Sequence, residues 1–182
     1  WHVTAPTITV SGSDVLSGLS TEEISLDGGV SWGASPQTLS DGTYSVILRT
    51  RDAAGNETAE NHTLKVDTAA PALSTSHSGT SGNAGCYTSD TTVDHTYNDS
   101  TSGLIFSQMQ INSDGWQPIM DQTFSDGVYS IEYALQDEAG NHTSVTEILQ
   151  VDTIPPTRTV TVPAANGNNG WHRTQPAISI SG

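Results

Sequence analysis

The sequence predicts an all-β protein built from β-sandwiches in tandem. Short runs of alternating apolar and polar residues are separated by turns rich in Gly, Asp and Asn, and no long stretch has helical periodicity. The stretch from Asp41 to Pro71 returns as Asp126 to Pro156, and each landmark within it moves by the same step, as Tyr44 does to Tyr129. A fixed period of this size indicates a tandem array whose unit is one small domain.

Each strand of the first repeat follows from its local pattern. Alternating apolar residues predict strands over residues 6–10, 23–26, 37–39, 44–51 and 58–66. Asp27-Gly28-Gly29 predicts a hairpin turn, and Trp32 begins the returning strand. Residues 52–56 predict a second turn, in which Gly55 supplies a positive φ. Residues 67–71 then form a linker, stiffened by its proline, before the strand at 72–75.

An Asp-Gly-x-Tyr segment precedes the strongest strand of each repeat, at Asp41 and Asp126. It resembles the tyrosine corner of immunoglobulin-like domains, in which the Tyr hydroxyl bonds back to upstream backbone. Together with the short strands, this corner predicts tandem immunoglobulin-like β-sandwiches with an 85-residue repeat. In the second repeat, strand A follows the linker, and the other strands lie near Val93 (B), Ile111 (C), Phe124 (E), Tyr129 (F) and Ile148 (G).

This strand assignment predicts three units. Residues 69–153 form a complete unit with strands A to G, residues 1–68 lack strand A, and residues 154–182 hold only A and B. Because both ends fall at the same phase of the repeat, we expect the chain to be a segment of a longer protein. The first unit then receives its strand A from preceding chain, or alternatively by strand complementation from a neighbouring subunit.

Composition restricts the classes of function. The five Lys and Arg residues face twenty carboxylates, for a net charge of −15. This charge argues against binding nucleic acid or anionic membranes and suits a self-repelling surface or a divalent-cation binder. Cys86 is the single cysteine, so no internal disulfide is predicted, and no apolar run is long enough for membrane insertion.

Several motifs carry a family resemblance. The run from Tyr44 to Asn56, followed by Val-Asp-Thr-Ala-Ala-Pro, resembles the tandem bacterial immunoglobulin-like (Big-type) repeats of very large secreted adhesins and surface proteins. The Gly-Trp-His start at Gly170 and the Ser-Leu-Asp-Gly-Gly-x-x-Trp segment look like repeats in envelope proteins of filamentous bacteria such as Chloroflexota. The resemblance implies an extracellular location. The second repeat departs from it at Cys86, which replaces a tryptophan, and at His95, which occupies a buried position of the strand.

Oxygen-bearing side chains recur at two points of each repeat and suggest calcium. They lie at the F–G turn (Asp52, Asn56, Asp137 and Asn141) and at the exit of strand G (Asp67 and Asp152). The two points are about 30 Å apart along strand G, so one ion cannot use both within a unit. The F–G turn of one unit can instead approach the linker of another, and the resemblance implies Ca²⁺ at the linker aspartates. The alternative is ordinary turn chemistry.

Catalytic motifs are not found in the sequence, so we expect no enzyme. The six histidines show no metal-ligand spacing, and Cys86, whose repeat equivalents are tryptophans, is more simply a packing substitution than a nucleophile. Trp32 and Trp116 are candidates for stacking on a glycan, although each can instead cover an open end of its sandwich. Four asparagines fit the glycosylation pattern: Asn56, Asn61, Asn98 and Asn141.

These observations predict a structural repeat segment of a long extracellular surface, sheath or filament protein, with a spacing or polymerising role. Its partners are then neighbouring repeats of the same protein. The alternative is an adhesin module that binds glycan or a surface protein through its end loops. The Val-Asp-Thr-x-x-Pro junction is the same in both repeats and favours the first function, whereas the loops at 27–40 and 109–125 diverge and favour the second.

Overall fold

The computed structural model describes residues 1–181, which are all-β apart from one 3-10 turn at Asn168–Gly170. Gly182, the end of the predicted third unit, lies outside the described residues. Six strands precede the linker: β1 (Thr7–Ile8), β2 (Leu19–Ser25), β3 (Gly33–Ala34), β4 (Gln37–Thr38), β5 (Gly42–Asp52) and β6 (Glu57–Val66). Eight strands follow it: β7 (Ala72–Ser78), β8 (Cys86–Tyr87), β9 (Thr91–Asn98), β10 (Leu104–Ile111), β11 (Gln117–Pro118), β12 (Gln122–Phe124), β13 (Gly127–Asp137) and β14 (His142–Val151). The last two are β15 (Thr159–Thr161) and β16 (Ser179–Ser181).

Strands β7 to β14 form a two-sheet sandwich. One sheet has the order β11-β10-β13-β14-β8 and the other the order β12-β9-β7; only the β14–β8 pair is parallel. Alternate residues of β13 point inward because side chains alternate across a strand, and they form a core with Val93, Met109 and Phe124. The predicted fold class, an all-β immunoglobulin-like sandwich, is confirmed, with β7, β9, β10, β12, β13 and β14 in the places of strands A, B, C, E, F and G.

Strands β1 to β6 form a smaller sandwich with the same pairings. Its sheets have the orders β3-β2-β5-β6 and β1-β4. Thr7 pairs with Thr38, and their equivalents in the next repeat, Thr92 and Thr123, pair in the same way. No strand in the described part of the chain pairs with β1 as β7 pairs with β9. Four buried apolar residues line this smaller core, whereas nine line the core of the second sandwich.

The last two strands make an open hairpin. Val160 pairs with Ile180, the same register in which Thr75 pairs with His95 in the second sandwich. Both strands are exposed along their whole length, and 70% of Ile180 is accessible to solvent. These strands therefore present apolar side chains that nothing in residues 1–181 covers.

In each sandwich, a very short parallel pairing lies at one edge of the larger sheet. The sequence does not predict this pairing. His2 forms a parallel bridge with Val66, and Tyr87 pairs in the same way with Val151. The first sandwich therefore includes, before β1, a contact at the repeat position of β8. A strand of two residues has no alternation to detect, which is why the pattern of apolar residues gives no sign of it.

The tyrosine corners form as predicted. The hydroxyl of Tyr44 donates to the carbonyl of Ser40 at 3.0 Å, and Tyr129 donates to Ser125 at 3.1 Å. The aspartate of each corner has a further role: the backbone N–H of Thr68 donates to the carboxylate of Asp41 at 2.9 Å. The corner thus holds the chain where it leaves the last strand of the sandwich.

A polar network replaces part of the apolar core in the second sandwich. The hydroxyl of Tyr133, which is fully buried, donates to Glu147 at 2.7 Å and contacts Nε2 of His95 at 3.0 Å. Burial raises the pKa of the Tyr133 hydroxyl, and its hydrogen bond to Glu147 raises that pKa further. The network explains how His95, whose side chain is only 2% exposed, is tolerated in the sandwich.

We predict that Tyr133→Phe lowers the free energy of unfolding of the second sandwich by about 1.5–3 kcal/mol, because it removes a buried hydrogen bond to a carboxylate. Urea unfolding followed by tyrosine fluorescence measures this difference. Tyr97→Phe is the matched control, since no described residue bonds to its hydroxyl and 37% of the side chain is exposed. Equal losses in the two variants would contradict the role of the network.

Candidate functional site

The linker at residues 67–71 is fixed first by the sandwich that it leaves. Asp67 directly follows β6 and is fully buried. Its backbone N–H donates to the carbonyl of His2 at 2.9 Å, and the next N–H, that of Thr68, is held by Asp41. The first residues of the linker are therefore extensions of the first sandwich rather than free chain.

The second sandwich binds the same linker through side chains. Nδ2 of Asn141 donates to the carbonyl oxygens of Asp67 at 2.9 Å and of Ala69 at 3.1 Å. The hydroxyl of Thr143 donates to the carbonyl of Pro71, and the N–H of Ser102 donates to the Asp67 carboxylate at 3.0 Å. These bonds from one sandwich to the backbone leaving the other oppose bending at the junction.

Three carboxylates meet where the linker crosses the second sandwich. One oxygen from each of Asp67, Asp99 and Asp137 lies within 4.8 Å of the others. Asp67 comes from the linker, Asp99 from the loop after β9, and Asp137 from the end of β13, where the turn to β14 begins. The structure thus brings together the two kinds of position that the sequence analysis singled out, using residues from different sandwiches.

Asp99 was not among the residues predicted from the sequence. The signal for it is the repeat itself, because Asp14 holds the same position in the preceding repeat and both aspartates precede a Ser-Gly-Leu. One oxygen of Asp99 accepts from the N–H groups of Thr101, Ser102 and Gly103 at 2.8–3.1 Å. Burial alone would raise the pKa of Asp99, but these backbone hydrogen bonds outweigh it and lower the pKa below its ordinary value.

Asp137 is oriented by its own turn. It is fully buried, and one of its oxygens accepts from the N–H groups of Gly140 at 2.7 Å and Asn141 at 2.8 Å. Gly140 adopts a φ of 101°, in the region that favours glycine, so the turn can close on the carboxylate. The other oxygen accepts from Nδ2 of Asn141 at 2.9 Å. One asparagine therefore orients the carboxylate and holds the linker.

The donor set fits a hard divalent cation. Two negative charges at the upper limit of this separation, 4.8 Å, repel by roughly 3 kcal/mol at an effective dielectric constant near 20. Within residues 1–181, no Lys, Arg or His forms an ion pair with Asp67, Asp99 or Asp137. The ligand atoms are all oxygens, and Ca²⁺ prefers carboxylate and carbonyl oxygens in an adaptable geometry. Asp67, Asp99 and Asp137 are thus the side chains that would hold such an ion.

The other predicted ligands repeat only one part of this site each: either the turn between the two longest strands or the aspartate that follows the last strand. In the first sandwich, Asn56 donates from its N–H and from Nδ2 to Asp52, as Asn141 does to Asp137. Asp14 lies beside this turn, and together with Asp52 and Asn56 it lines a cleft of about 260 Å³. At the other end, Asp152 accepts from the N–H of Ile154 at 3.1 Å, as Asp67 does from that of Ala69. In the described part of the chain, no linker aspartate lies beside Asp14 and Asp52, and no turn of a following sandwich lies beside Asp152.

The remaining candidates are dispersed. Trp32 packs under the guanidinium of Arg49, whose central carbon lies 3.4 Å from the ring centroid, while Trp116 is 47% exposed. The side-chain nitrogens of Asn56 and Asn141 are both used in hydrogen bonds, and Asn61 and Asn98 are exposed. Glycan stacking and glycosylation stay predictions.

We predict that the pKa of Asp99 in the folded chain lies below the ordinary value of an aspartate carboxyl. Because the folded pKa of Asp99 is lowered, its contribution to stability is present above about 3.9, the pKa of an unfolded aspartate, and is lost as pH falls through the folded value. Carboxyl ¹³C NMR titration in a calcium-free buffer measures the midpoint of Asp99. A midpoint above about 3.9, the pKa of an unfolded aspartate, would contradict the hydrogen-bond account.

We also predict that Asn141→Ala loosens the junction more than Asn56→Ala. Both changes remove a side-chain bond within a turn, but only the first removes the bonds to the linker carbonyls. Limited proteolysis of residues 67–71 tests this, with faster cleavage expected for Asn141→Ala alone. Equal cleavage rates would show that Asn141 does not hold the linker.

Comparison with known proteins agrees with this architecture. Residues 2–68, which comprise the first sandwich, match the family model of the bacterial Ig-like domain. A search of curated proteins finds no match to the chain. Bacterial Ig-like domains are a non-catalytic fold family and usually occur in surface or extracellular proteins. Residues 2–68 are thus similar to a bacterial Ig-like domain, and β7 to β14 show the same strand pairings in the second repeat.

Proposed function

We propose that this chain is a structural segment of a long extracellular surface, sheath or filament protein, in which it spaces and orients neighbouring units. The single observation that carries this proposal is the clamped linker, whose short backbone at 67–71 bonds to both sandwiches. A module that only had to be tethered would need no such bonds, whereas a spacer gains reach from each joint that resists bending.

The charge and the family match support an extracellular setting. The net charge of −15 keeps neighbouring surfaces apart, and bacterial Ig-like domains are usually found in surface or extracellular proteins. Helical structure in residues 1–181 is limited to the 3-10 turn at Asn168–Gly170, so no helix there could cross a membrane. A non-catalytic role and an origin among filamentous bacteria are further parts of this proposal.

Calcium is the cofactor in this proposal. An ion held by Asp67, Asp99 and Asp137 would replace their mutual repulsion by attraction and would join the linker to two loops of the second sandwich. The half-arrangements at Asp52 and Asp152 would become complete sites when further units adjoin them. Each junction of an array would then carry one ion, and its stiffness would depend on calcium.

Calcium titration of paired variants tests this function. We expect the chain to bind one Ca²⁺ by isothermal titration calorimetry, with a narrower range of interdomain angles in small-angle scattering. Asp67→Asn should abolish binding, because it removes a ligand charge. Asp152→Asn is the matched control: it stands at the same position of the next repeat, without the facing loops. Binding that survives Asp67→Asn would overturn the site.

The adhesin function is a second candidate because the segment around β11 exposes large apolar side chains. Between β10 and β12, Trp116 is 47% exposed and Met120 is 50% exposed. An exposed tryptophan stacks well on a sugar ring. Glycan-array binding that Trp116→Ala abolishes, while the control Trp171→Ala leaves it intact, would favour this function. Equal effects of the two variants would exclude Trp116 as the binding residue.

A further inference from the structure

A chain of titratable side chains crosses the interior of the second sandwich. Strand β9 of one sheet supplies His95, and strands β13 and β14 of the other sheet supply Tyr133 and Glu147. Nε2 of His95 lies 3.0 Å from the hydroxyl oxygen of Tyr133, which lies 2.7 Å from Oε1 of Glu147. Nδ1 of His95 lies 3.3 Å from Oδ1 of Asp121, in the segment before β12. These contacts join the two sheets, and none of the four residues belongs to the calcium junction.

Glu147 is bonded as a carboxylate. Its Oε1 accepts from the hydroxyl of Tyr133, and its Oε2 accepts from the hydroxyl of Thr75 at 3.2 Å. Nε2 of His77 lies a further 3.6 Å from the same Oε2. Because a donor reaches each of its oxygens, Glu147 acts here only as an acceptor of hydrogen bonds.

This bonding decides where the protons of His95 lie. Burial raises the pKa of the Tyr133 hydroxyl and the bond to Glu147 raises it further, so Tyr133 keeps its one proton and donates it to Glu147. The Tyr133 oxygen can then only accept from His95, so Nε2 carries a proton. On the other side of the ring, the 62% exposed carboxylate of Asp121 also accepts the backbone N–H of His95 at 2.9 Å. Nδ1 therefore carries a proton too, because a bare nitrogen would face an anionic oxygen.

Other titratable groups surround these contacts without replacing them. On β7, His77 lies against the ring of Tyr87 from β8, with 5.8 Å between the ring centroids. On β9 itself, Asp94 points to the opposite face from His95, since side chains alternate along a strand. Tyr97 lies on the same face two residues further on, where 37% of it is exposed. None of these groups takes the place of the donors on the His95 ring.

We propose that His95 is a buried imidazolium, which donates to Tyr133 and to Asp121 and holds the two sheets of the second sandwich together through one bound proton. Loss of this proton leaves His95 and Glu147 competing for the single proton of Tyr133, so one of the bonds between the sheets is broken. The second sandwich thus contains a pH-sensitive contact. This inference is independent of the proposed function and of calcium.

The contact distinguishes the two sandwiches. The repeat equivalents of His95 and Tyr133 are Val10 and Leu48, which cannot form such a bond. Residues 69–153 contain no Lys or Arg, so only a histidine can supply a positive side chain within the second repeat. An unfolded histidine loses its second proton near pH 6.5. Above that pH the folded sandwich holds one proton more than the unfolded chain, so its stability falls as pH rises until the folded state also loses the proton.

Two-bond ¹H–¹⁵N spectra of the histidine rings test the proposal at pH 7.5, where an ordinary histidine is about one-tenth protonated. In the unmodified chain, His95 should show protons on both ring nitrogens. Glu147→Gln keeps the size of the side chain but lets its amide donate to Tyr133, which can then donate to His95. His95 should therefore become neutral, with its proton on Nδ1. His77→Gln is the matched control: His77 faces the other oxygen of Glu147, so His95 should stay an imidazolium.

Urea unfolding followed by amide NMR gives a second readout, because the peaks report each sandwich separately. Between pH 7 and 8, the unfolding equilibrium constant of the second sandwich should rise about tenfold in the unmodified chain and less than about twofold in Glu147→Gln. The proposal is overturned if His95 is neutral in the unmodified chain, if it stays an imidazolium in Glu147→Gln or if it becomes neutral in His77→Gln. Equal pH dependence of unfolding in the unmodified chain and in Glu147→Gln would overturn it as well.

Discussion

The close approach of three aspartates is the constraint that the linker and the loops of the second sandwich must accommodate at the junction. Asp67 is fully buried in the linker, and its carboxylate lies within 4.8 Å of those of Asp99 and Asp137. Negative charges this close are costly to hold unless hydrogen bonds or a cation stabilise them. Backbone N–H groups and Asn141 supply the first kind of support, and the oxygen donor set is suited to the second.

The turn that an aspartate closes between the two longest strands therefore acts both within a sandwich and between sandwiches. Within a sandwich, an aspartate such as Asp52 or Asp137 closes the turn between the two longest strands. Between sandwiches, that turn becomes one side of a joint when the linker of the preceding unit lies against it. Because each unit carries both a turn and an exit aspartate, a chain of such units would form a joint at every boundary without further sequence. The bonding of Asp152 matches that of Asp67 and shows the exit half by itself.

Only one of the sandwiches in the described part of the chain has its second sheet extended by a strand at the position of β7. The second sandwich has its core closed by β7, whereas the first has a cleft and the β15–β16 hairpin has exposed valines and isoleucines. Within residues 1–181, the second sandwich therefore has the more complete core of the two.

Much of the fold could be read from the sequence because the repeat places each strand pattern twice. Tyr44 and Tyr129 mark the strongest strands, and their corners form as expected. Only part of the junction site could be predicted. Asp67 and Asp137 lie at recognisable turn positions, whereas Asp99 lies in an irregular loop, where only its recurrence as Asp14 one repeat earlier marks it. The Tyr133–Glu147 bond could not be predicted, since its partners lie on neighbouring strands whose register the sequence does not give.

The most direct test is the distance between spin labels on the two sandwiches, measured by double electron–electron resonance. Labels at the exposed positions Ala34 and Ser144, in a chain whose free Cys86 is replaced by serine, report the angle between the sandwiches. The account predicts one narrow distance distribution with calcium and a broader distribution after chelation. A distribution that is broad in both conditions, or that calcium leaves unchanged, would contradict it.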